Sequence, residues 1–375
     1  MLKISLFLCG LLALAPQAAA EEDFFNLEEE PAASAAVATD KKPEPDFKAE
    51  KTKEPAEDKG IFSFLNFSFG KKKPEVKVDA SPEETVLQKL TRMAGEGDVN
   101  SQLSLGYMYL YGEDGVGVDY KKAFDYYKMA ADQNDNVAVN NLGSLYFSGI
   151  GTETDPAKAM EMFQKASDLG NNEATLNLAF LYLSGQGGEK DHRKAIQLLA
   201  KAADAGNPTA EFMIGYAYYK GYLVEKNYLK AFNYMVDSAN AGYDEALNIL
   251  SELYINGQGT PKNYGNAVRA LNKAVAQGNV EAMMSLGSIL AIGEKYPQDV
   301  YTAHIMFNLA AVRGAEDAAE KRDTLESKLP IENLLQAQAA AEKFVEKPSE
   351  LTVYIHKTFG PNIKSYIDAG LKRKN

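Results

Sequence analysis

Residues 136–171 are NVAVNNLGSLYFSGIGTETDPAKAMEMFQKASDLGN, and a related stretch of equal length, NEATLNLAFLYLSGQGGEKDHRKAIQLLAKAADAGN, follows at residues 172–207. A mid-unit glycine, an alanine and an aspartate or asparagine keep this 36-residue spacing along the chain. The glycines are Gly149, Gly185, Gly221, Gly257 and Gly293, preceded at 37 residues by Gly112; the alanines are Ala123, Ala159, Ala195, Ala231, Ala267 and Ala303; the caps are Asp119, Asp155, Asp191, Asn227, Asn263 and Asp299. Such a fixed period indicates stacked repeats.

Each unit contains the patterns of two helices, which we call helix A and helix B. In helix A, apolar residues recur at helical spacing, as at Ala138, Leu142 and Leu145. A glycine loop ends helix A, and an Asp or Asn such as Asp155 begins helix B by accepting bonds from its free N–H groups. The sequence therefore predicts an all-α fold, an α/α superhelical solenoid of stacked helix-turn-helix repeats.

One position in every A helix holds a small residue: Gly106, Gly143, Ala179, Gly215, Ser251 and Gly287. Glycine inside a helix costs about 1 kcal/mol relative to alanine. Its retention in most units predicts that another helix packs too closely there for a larger side chain.

The six full units fill residues 99–315, and residues 81–98 predict an N-terminal capping half-repeat. Residues 316–347 predict C-terminal capping helices, the last of which extends to Lys347, and residues 348–375 form a tail. We expect limited proteolysis to cut before Ser81 and after Pro348. The loop of unit four has Leu223 where a second glycine is expected, so this loop should differ in shape.

The first of the two quoted stretches, residues 136–171, carries a family resemblance. Asn141-Leu142-Gly143-x-x-Tyr146, Gly149-x-Gly151, Asp155-x-x-Lys158-Ala159, Lys165-Ala166 and Gly170-Asn171 closely resemble the Sel-1-like repeat, a relative of the tetratricopeptide repeat. The resemblance covers about residues 84–315, and the stretch from Asn308 to Phe344 looks like the usual ending of bacterial members. It implies a role in envelope assembly, signalling regulation or host interaction.

The N-terminus has the pattern of a secretory signal peptide over residues 1–20. An apolar stretch at residues 4–15 precedes the small-residue cleavage site Ala18-Ala19-Ala20. The stretch is shorter than the roughly 20 residues that a membrane helix needs, although an uncleaved anchor is the alternative. We therefore expect a periplasmic protein, or a secreted one. The chain's one cysteine, Cys9, lies in this segment, so the mature chain would have no disulfide.

Residues 21–80 predict a disordered acidic, Pro-rich linker, because they carry little that could form a core. Within it, residues 61–69 form a Phe-rich island with Lys71–Lys73 beside it; its phenylalanines are Phe62, Phe64, Phe67 and Phe69. One interpretation is a segment that contacts a partner or a membrane surface, where lysines meet anionic lipid. The alternative is a short strand or helix that folds back on the first repeat.

The sequence offers little for catalysis or metal binding. The formal net charge is −12, whereas nucleic-acid binders usually carry a basic patch, so we expect no nucleic-acid partner. His192, His304 and His356 lie at no metal-ligand spacing. The carboxylates of residues 113–119 lack the spacing of a calcium loop. We therefore expect no metal, no cofactor and no enzyme activity.

The remaining candidate function is the binding of a partner on the surface of the repeats. In tetratricopeptide-like arrays the first helices line the concave face, which we call the A-helix face. The residues predicted to contact a protein or peptide partner there are Tyr107, Asn140, Leu176, Phe180, Phe212, Tyr216, Tyr219, Asn248, Glu252 and Met284. Aromatic residues are typical interface hot spots, and the amides of Asn140 and Asn248 are suited to hold a peptide backbone. The alternative is that several of these side chains pack within or between repeats.

The leading hypothesis is a non-catalytic, exported scaffold that binds a protein or peptide partner, in envelope assembly or signalling. The alternatives are a secreted effector that contacts host proteins and an enzyme acting on cell-wall peptide. Under the leading hypothesis, alanine at Phe212 and Tyr216 should abolish partner capture without lowering the melting temperature. The repeat pattern of the sequence does not determine the oligomeric state.

Overall fold

The structure, a computed structural model, describes residues 84–360 and 363–371. Within these ranges the chain forms 17 α-helices and no strand. The A helices are α2 (Val99–Tyr111), α4 (Asn136–Ser148), α6 (Asn172–Ser184), α8 (Pro208–Lys220), α10 (Asp244–Asn256) and α12 (Val280–Ile292); the B helices are α3 (Tyr120–Asp132), α5 (Pro156–Asp168), α7 (His192–Asp204), α9 (Tyr228–Asn240), α11 (Tyr264–Ala276) and α13 (Val300–Val312). Helix α1 (Val86–Gly95) precedes them, and α14 (Ala318–Glu326), α15 (Ile331–Glu342), α16 (Glu350–Phe359) and α17 (Ser365–Leu371) follow.

Each A helix packs on the B helix that follows it, and each B helix packs on the next A helix. The predicted all-α solenoid of helix pairs is therefore confirmed. None of the helices within residues 84–360 and 363–371 is long and apolar enough to cross a membrane. The signal peptide, the linker and the Phe-rich island lie outside the described residues.

The B helices begin as predicted at the repeated Asp or Asn. Asp155, for example, accepts a hydrogen bond from the backbone N–H of Lys158 at 3.0 Å, and Asn227 does the same for Lys230. The backbone N–H of each cap also donates to helix A of its own unit, as Asp155 does to the carbonyl of Tyr146 at 2.7 Å. Each cap thus fixes the angle between the two helices of its repeat.

The small residue of helix A is required by the aromatic or methionine side chain of helix B. A Cβ on Gly143 would lie 2.9 Å from the Phe163 ring, and one on Gly287 would lie 2.8 Å from Phe307. The tyrosines that follow these positions pack inside their repeats, as Tyr182 does beneath the Lys194 ammonium, 4.5 Å from the ring centroid. Close helix packing therefore explains the small residues.

The second loop glycine is required by contact with the preceding repeat. Gly259 has a φ of +75°, and its Cβ would lie 2.1 Å from the carbonyl oxygen of Tyr228, the first residue of α9. In unit four the equivalent residue is Leu223, which keeps a left-handed φ of +55°. The expectation that this loop changes shape is wrong at this residue, because the backbone is retained in spite of the side chain.

Leu223→Gly should have a free energy of unfolding about 1 kcal/mol higher than that of Leu223→Ala. A left-handed conformation costs a non-glycine residue roughly 1–2 kcal/mol, and the greater freedom of glycine in the unfolded chain offsets part of the gain. Leu223 is 39% exposed, so both variants lose the packing of its buried part and their comparison isolates the backbone effect. Urea denaturation of the two variants measures the difference. A glycine variant no more stable than the alanine variant would contradict this account.

The last capping helix after the repeats ends earlier than predicted. Helix α15 ends at Glu342 rather than Lys347, because the following residues bond to the repeats instead of to one another. The backbone N–H of Lys347 donates to the carbonyl of Ala276 at 2.8 Å. Glu346 forms an ion pair with Arg313 at 2.6 Å. This segment carries the chain back across the ends of α11 and α13.

The predicted tail is wrong as far as residue 371. Residues 350–359 and 365–371 form α16 and α17, and α17 packs on the A helices α6 and α8. Ile355, Ile363 and Ile367 are fully buried in the same cluster as the repeat core. Because these helices are docked, we no longer expect rapid proteolysis directly after Pro348.

Candidate partner-binding site

The ten residues predicted to contact a partner divide into two groups. Tyr107, Tyr219, Glu252 and Met284 are half-buried, whereas Asn140, Leu176, Phe180, Phe212, Tyr216 and Asn248 are buried. The buried group has two causes, packing between repeats and cover by the C-terminal helices.

Packing at a repeat boundary buries Phe212, and Leu176 is buried in the same apolar cluster. Phe212 is fully buried, with its ring edge-to-face on Tyr243 at a centroid distance of 4.8 Å. Tyr243 is the last residue of the same repeat and stands directly before α10, so Phe212 packs at the boundary with the next repeat. The prediction that Phe212 faces a partner is wrong for this reason, and so is the expectation that Phe212→Ala leaves the melting temperature unchanged.

The two asparagines also connect neighbouring repeats. The Nδ2 of Asn177 donates to Oδ1 of Asn140 at 3.1 Å, and Nδ2 of Asn248 donates to Oε2 of Glu281 at 3.0 Å. Both Asn140 and Asn248 are 1% exposed. Their predicted role of holding a peptide backbone is therefore wrong in this arrangement, because the amides are buried between A helices.

Helix α16 docks where the repeat pattern lacks a cap. Five A helices begin after Asp98, Asp135, Asn171, Asn207 and Asn279, each of which accepts a backbone hydrogen bond. The sixth, α10, follows Tyr243, which makes no side-chain cap bond. Instead, the hydroxyl of Thr352 in α16 accepts from the backbone N–H of Asp244 at 3.2 Å. The C-terminal helix thus supplies a cap that the repeat itself lacks.

Neighbouring polar contacts fix α16 in this place. The Thr352 hydroxyl donates to Oε1 of Gln277 at 2.7 Å. The Ser349 hydroxyl donates to the carbonyl of Gly242 at 2.7 Å and also caps α16 itself. These bonds join the start of α16 to the ends of α9 and α11, so α16 is part of the repeat structure.

The far end of α16 and helix α17 cover Phe180 and Tyr216, two of the aromatic residues predicted to contact a partner. The Phe359 ring stacks on Phe180 at a centroid distance of 4.3 Å, and the Tyr366 ring meets Phe180 edge-on at 4.9 Å. The Tyr216 hydroxyl donates to the Asp368 carboxylate at 3.0 Å. Burial raises the pKa of Tyr216, and the Asp368 charge adds to the effect, so this hydroxyl stays a donor.

A half-buried ion pair holds the start of this segment. The Lys364 ammonium lies 2.8 Å from Glu245 and 3.3 Å from Glu281. Burial tends to lower the pKa of Lys364, but the two carboxylates outweigh it and the pKa is raised. Lys364 therefore remains charged while it bridges α10 and α12.

Comparison with known proteins identifies the repeats. The Sel1 repeat profile matches residues 99–135, 136–171, 172–207, 208–243, 244–279 and 280–314, more than half of the chain. The chain belongs to the Sel1 repeat family. Among solved structures, a Sel1 repeat protein from Oxalobacter formigenes is 28% identical, with a TM-score of 0.51 over 68% of this chain and 76% of that chain.

Two further solved structures give weaker matches. A protective antigen present in uropathogenic Escherichia coli strains is 24% identical over 72% of this chain and 74% of its own, with a TM-score of 0.34. The Helicobacter pylori cysteine-rich protein B is 24% identical over 34% and 95% respectively, with a TM-score of 0.28. No curated protein matches the chain. The resemblance found in the sequence is confirmed, and Sel1 repeat proteins are generally protein-interaction scaffolds.

The histidines and carboxylates considered as metal ligands do not come together within the described residues. Across residues 84–360 and 363–371, no three His, Cys, Asp or Glu side chains come together to hold a metal ion. His192 begins α7, His304 lies within α13 and His356 lies in α16. The carboxylates of residues 113–119 likewise form no such group.

His304 should make the folded Sel1 repeats less stable as the pH falls below about 6.5. It is 1% exposed, its Nε2 lies 3.9 Å from Glu326, and burial lowers its pKa. The unfolded chain then binds a proton that the folded chain excludes, so the free energy of unfolding decreases from the unfolded pKa of about 6.5 downward. Urea denaturation of wild type and His304→Gln between pH 5 and 7.5 tests this. The prediction fails if the two free energies keep a constant difference.

Several residues of the site were missed in the sequence, chiefly Thr352, Phe359, Lys364 and Asp368. Two signals were available. Tyr243 interrupts the series of Asp and Asn caps, and Leu351, Ile355 and Phe359 recur every four residues, as on one apolar helix face. Together they indicate that a further helix docks on the repeats, at the boundary where the side-chain cap is missing.

Proposed function

We propose that this protein is an exported, non-catalytic scaffold that binds a protein or peptide partner along its A-helix face. Family membership supports a binding role, and the observation that carries the site is the accessible aromatic surface of the first two repeats. Tyr107 and Tyr111 contact each other there with ring centroids 4.6 Å apart, and both are half-buried. Phe147, also half-buried, lies in helix A of the next repeat, at the position that corresponds to Leu110.

The chemistry of this surface suits a peptide with apolar anchors and donor groups. Burial raises the pKa of Tyr111 to about 12 and also raises that of Tyr107, so both phenols stay neutral. A neutral phenol both donates and accepts hydrogen bonds, while its ring buries apolar area. Further along the face, the Tyr219 hydroxyl donates to Glu252 at 2.6 Å, which presents a carboxylate beside an aromatic ring.

Export supports a partner in the cell envelope. The proposal rests on the signal-peptide pattern of residues 1–20, which predicts a mature chain beginning at Glu21. N-terminal sequencing of protein recovered from the periplasmic fraction tests this directly. A chain that retains Met1 in the cytoplasm would contradict export without affecting the binding proposal.

A photo-crosslinking amino acid placed at Tyr107 or Phe147 should capture one and the same partner in cells. The matched control is Glu161, an exposed residue of helix α5 on the B-helix side. With that partner purified, Tyr107→Ala and Phe147→Ala should each weaken binding about tenfold or more, as interface aromatics usually do. Equal crosslinking from Glu161, or unchanged affinity in both variants, would refute binding at this face.

A further inference from the structure

Helix α17 occupies the A-helix face in the way that a bound peptide helix would. Ile363, in the turn directly before α17, and Ile367 within it are four residues apart, and both are fully buried. They belong to the buried cluster that also contains Phe180 and Phe212. Lys364 and Asp368 follow the two isoleucines by one residue each, and both find partners on the A helices. Apolar anchors at helical spacing with flanking charges are the pattern of helix-in-groove recognition.

Helix α17 is also separable from α16. It has seven residues, whereas isolated helices shorter than roughly 12–15 residues are marginal in water. Its helical form therefore depends on the groove. Helix α16, in contrast, is bound through the Thr352 and Ser349 contacts at its start. Between them, Gly360 has φ +83° and ψ 166°, a conformation that is essentially restricted to glycine.

We propose that the part of the A-helix face beneath α17 is a docking site for a short amphipathic helix of a partner protein. The geometry assigns that helix apolar residues at i and i+4, a lysine or arginine at i+1 and an acidic residue at i+5. The cation lies between Glu245 and Glu281, and the acidic residue accepts from Tyr216. Helix α17 is the intramolecular competitor. This inference rests on the proposed binding function and names the partner's chemistry at a second part of the same face.

Tethering determines how strongly α17 competes. A segment joined by a short connection acts at an effective concentration of roughly millimolar. A free helix with micromolar intrinsic affinity is therefore largely excluded while α17 is docked. Release of α17 should raise the apparent affinity for such a helix at least tenfold, because more of the protein is then in the competent state.

The test uses the full chain and a fluorescein-labelled peptide with the sequence of residues 360–371. The released variant is Ile363→Asp/Ile367→Asp, and Ser365→Asp, at an exposed position of α17, is the matched control. Fluorescence polarisation should show binding to the released variant at least tenfold tighter than to wild type or Ser365→Asp. A peptide carrying Lys364→Glu and Asp368→Lys should bind the released variant at least tenfold more weakly.

Hydrogen exchange of residues 363–371 and the melting curve accompany the binding measurement. If the double-aspartate variant does not fold, Lys364→Ala/Asp368→Ala takes its place. The inference is overturned if the peptide does not bind a folded variant whose α17 amides exchange freely. It is also overturned if the α17 amides stay protected from exchange in both variants, or if wild type binds the peptide as tightly as the released variant. A wild-type dimer that Ile363→Asp/Ile367→Asp dissociates would assign the groove to a second copy and also overturn it. Crosslinking from Tyr107 and Phe147 is independent of α17, so its retention would leave the binding function intact.

Discussion

Replacing Phe212 with alanine should lower the free energy of unfolding by about 3–5 kcal/mol, the usual cost of removing a buried phenylalanine ring. The side chain is fully buried and its ring contacts both Tyr243 and Tyr216. The loss removes apolar burial and leaves a cavity at the boundary between two repeats. Because the stability of a repeat array depends on contacts between neighbouring repeats, we also expect the urea unfolding transition of this variant to broaden or to split into two.

The matched control is Tyr219→Ala in the same helix. Tyr219 is half-buried, so its truncation should cost distinctly less. Circular dichroism and tyrosine fluorescence in urea give both free energies. If Phe212→Ala costs less than about 1 kcal/mol, the packing at this boundary is not what the contacts indicate.

Replacing Gly259 with alanine should lower the free energy of unfolding by about 2–5 kcal/mol. A left-handed φ costs alanine roughly 1–2 kcal/mol, and overpacking adds about 1–3 kcal/mol. The added Cβ would lie 2.1 Å from the carbonyl oxygen of Tyr228. Because that atom belongs to the backbone, no rotamer change relieves the contact and two repeats must move apart.

Gly206→Ala separates the two costs. Gly206 has nearly the same φ, +78°, but no atom lies within 4 Å of its added Cβ. Its substitution should therefore cost only about 1–2 kcal/mol. Similar losses in the two variants, measured by urea denaturation, would show that contact between repeats plays no part at Gly259.

The repeats were predictable because each of their constraints is local and recurs. Gly143 must be small since Phe163 packs against it, and Asp155 must accept from Lys158 to begin helix B. Both requirements return in later units with the same spacing, so the sequence displays them several times. A feature repeated in this way is visible without knowledge of the packing.

The candidate site was predictable only in part, because exposure depends on contacts distant in sequence. The hydrogen bond between Tyr216 and Asp368 joins residues 152 apart. The Sel1 pattern places Phe180 and Tyr216 on the A-helix face, but nothing local to them indicates that Phe359 and Asp368 will cover them. For Phe212 the error had a different cause: Tyr243, the last residue before the next repeat, packs against its ring and encloses it.

The cap that Thr352 provides for α10 has a consequence for biosynthesis. A ribosome completes residues 244–256 about a hundred residues before it reaches Thr352, so the fifth repeat is made long before its missing hydrogen-bond acceptor. A chain broken off before residue 349 would retain all six repeats and still expose Phe180 and the bare start of α10. The cap of the fifth repeat is thus completed only once a helix 108 residues further along the chain has been made.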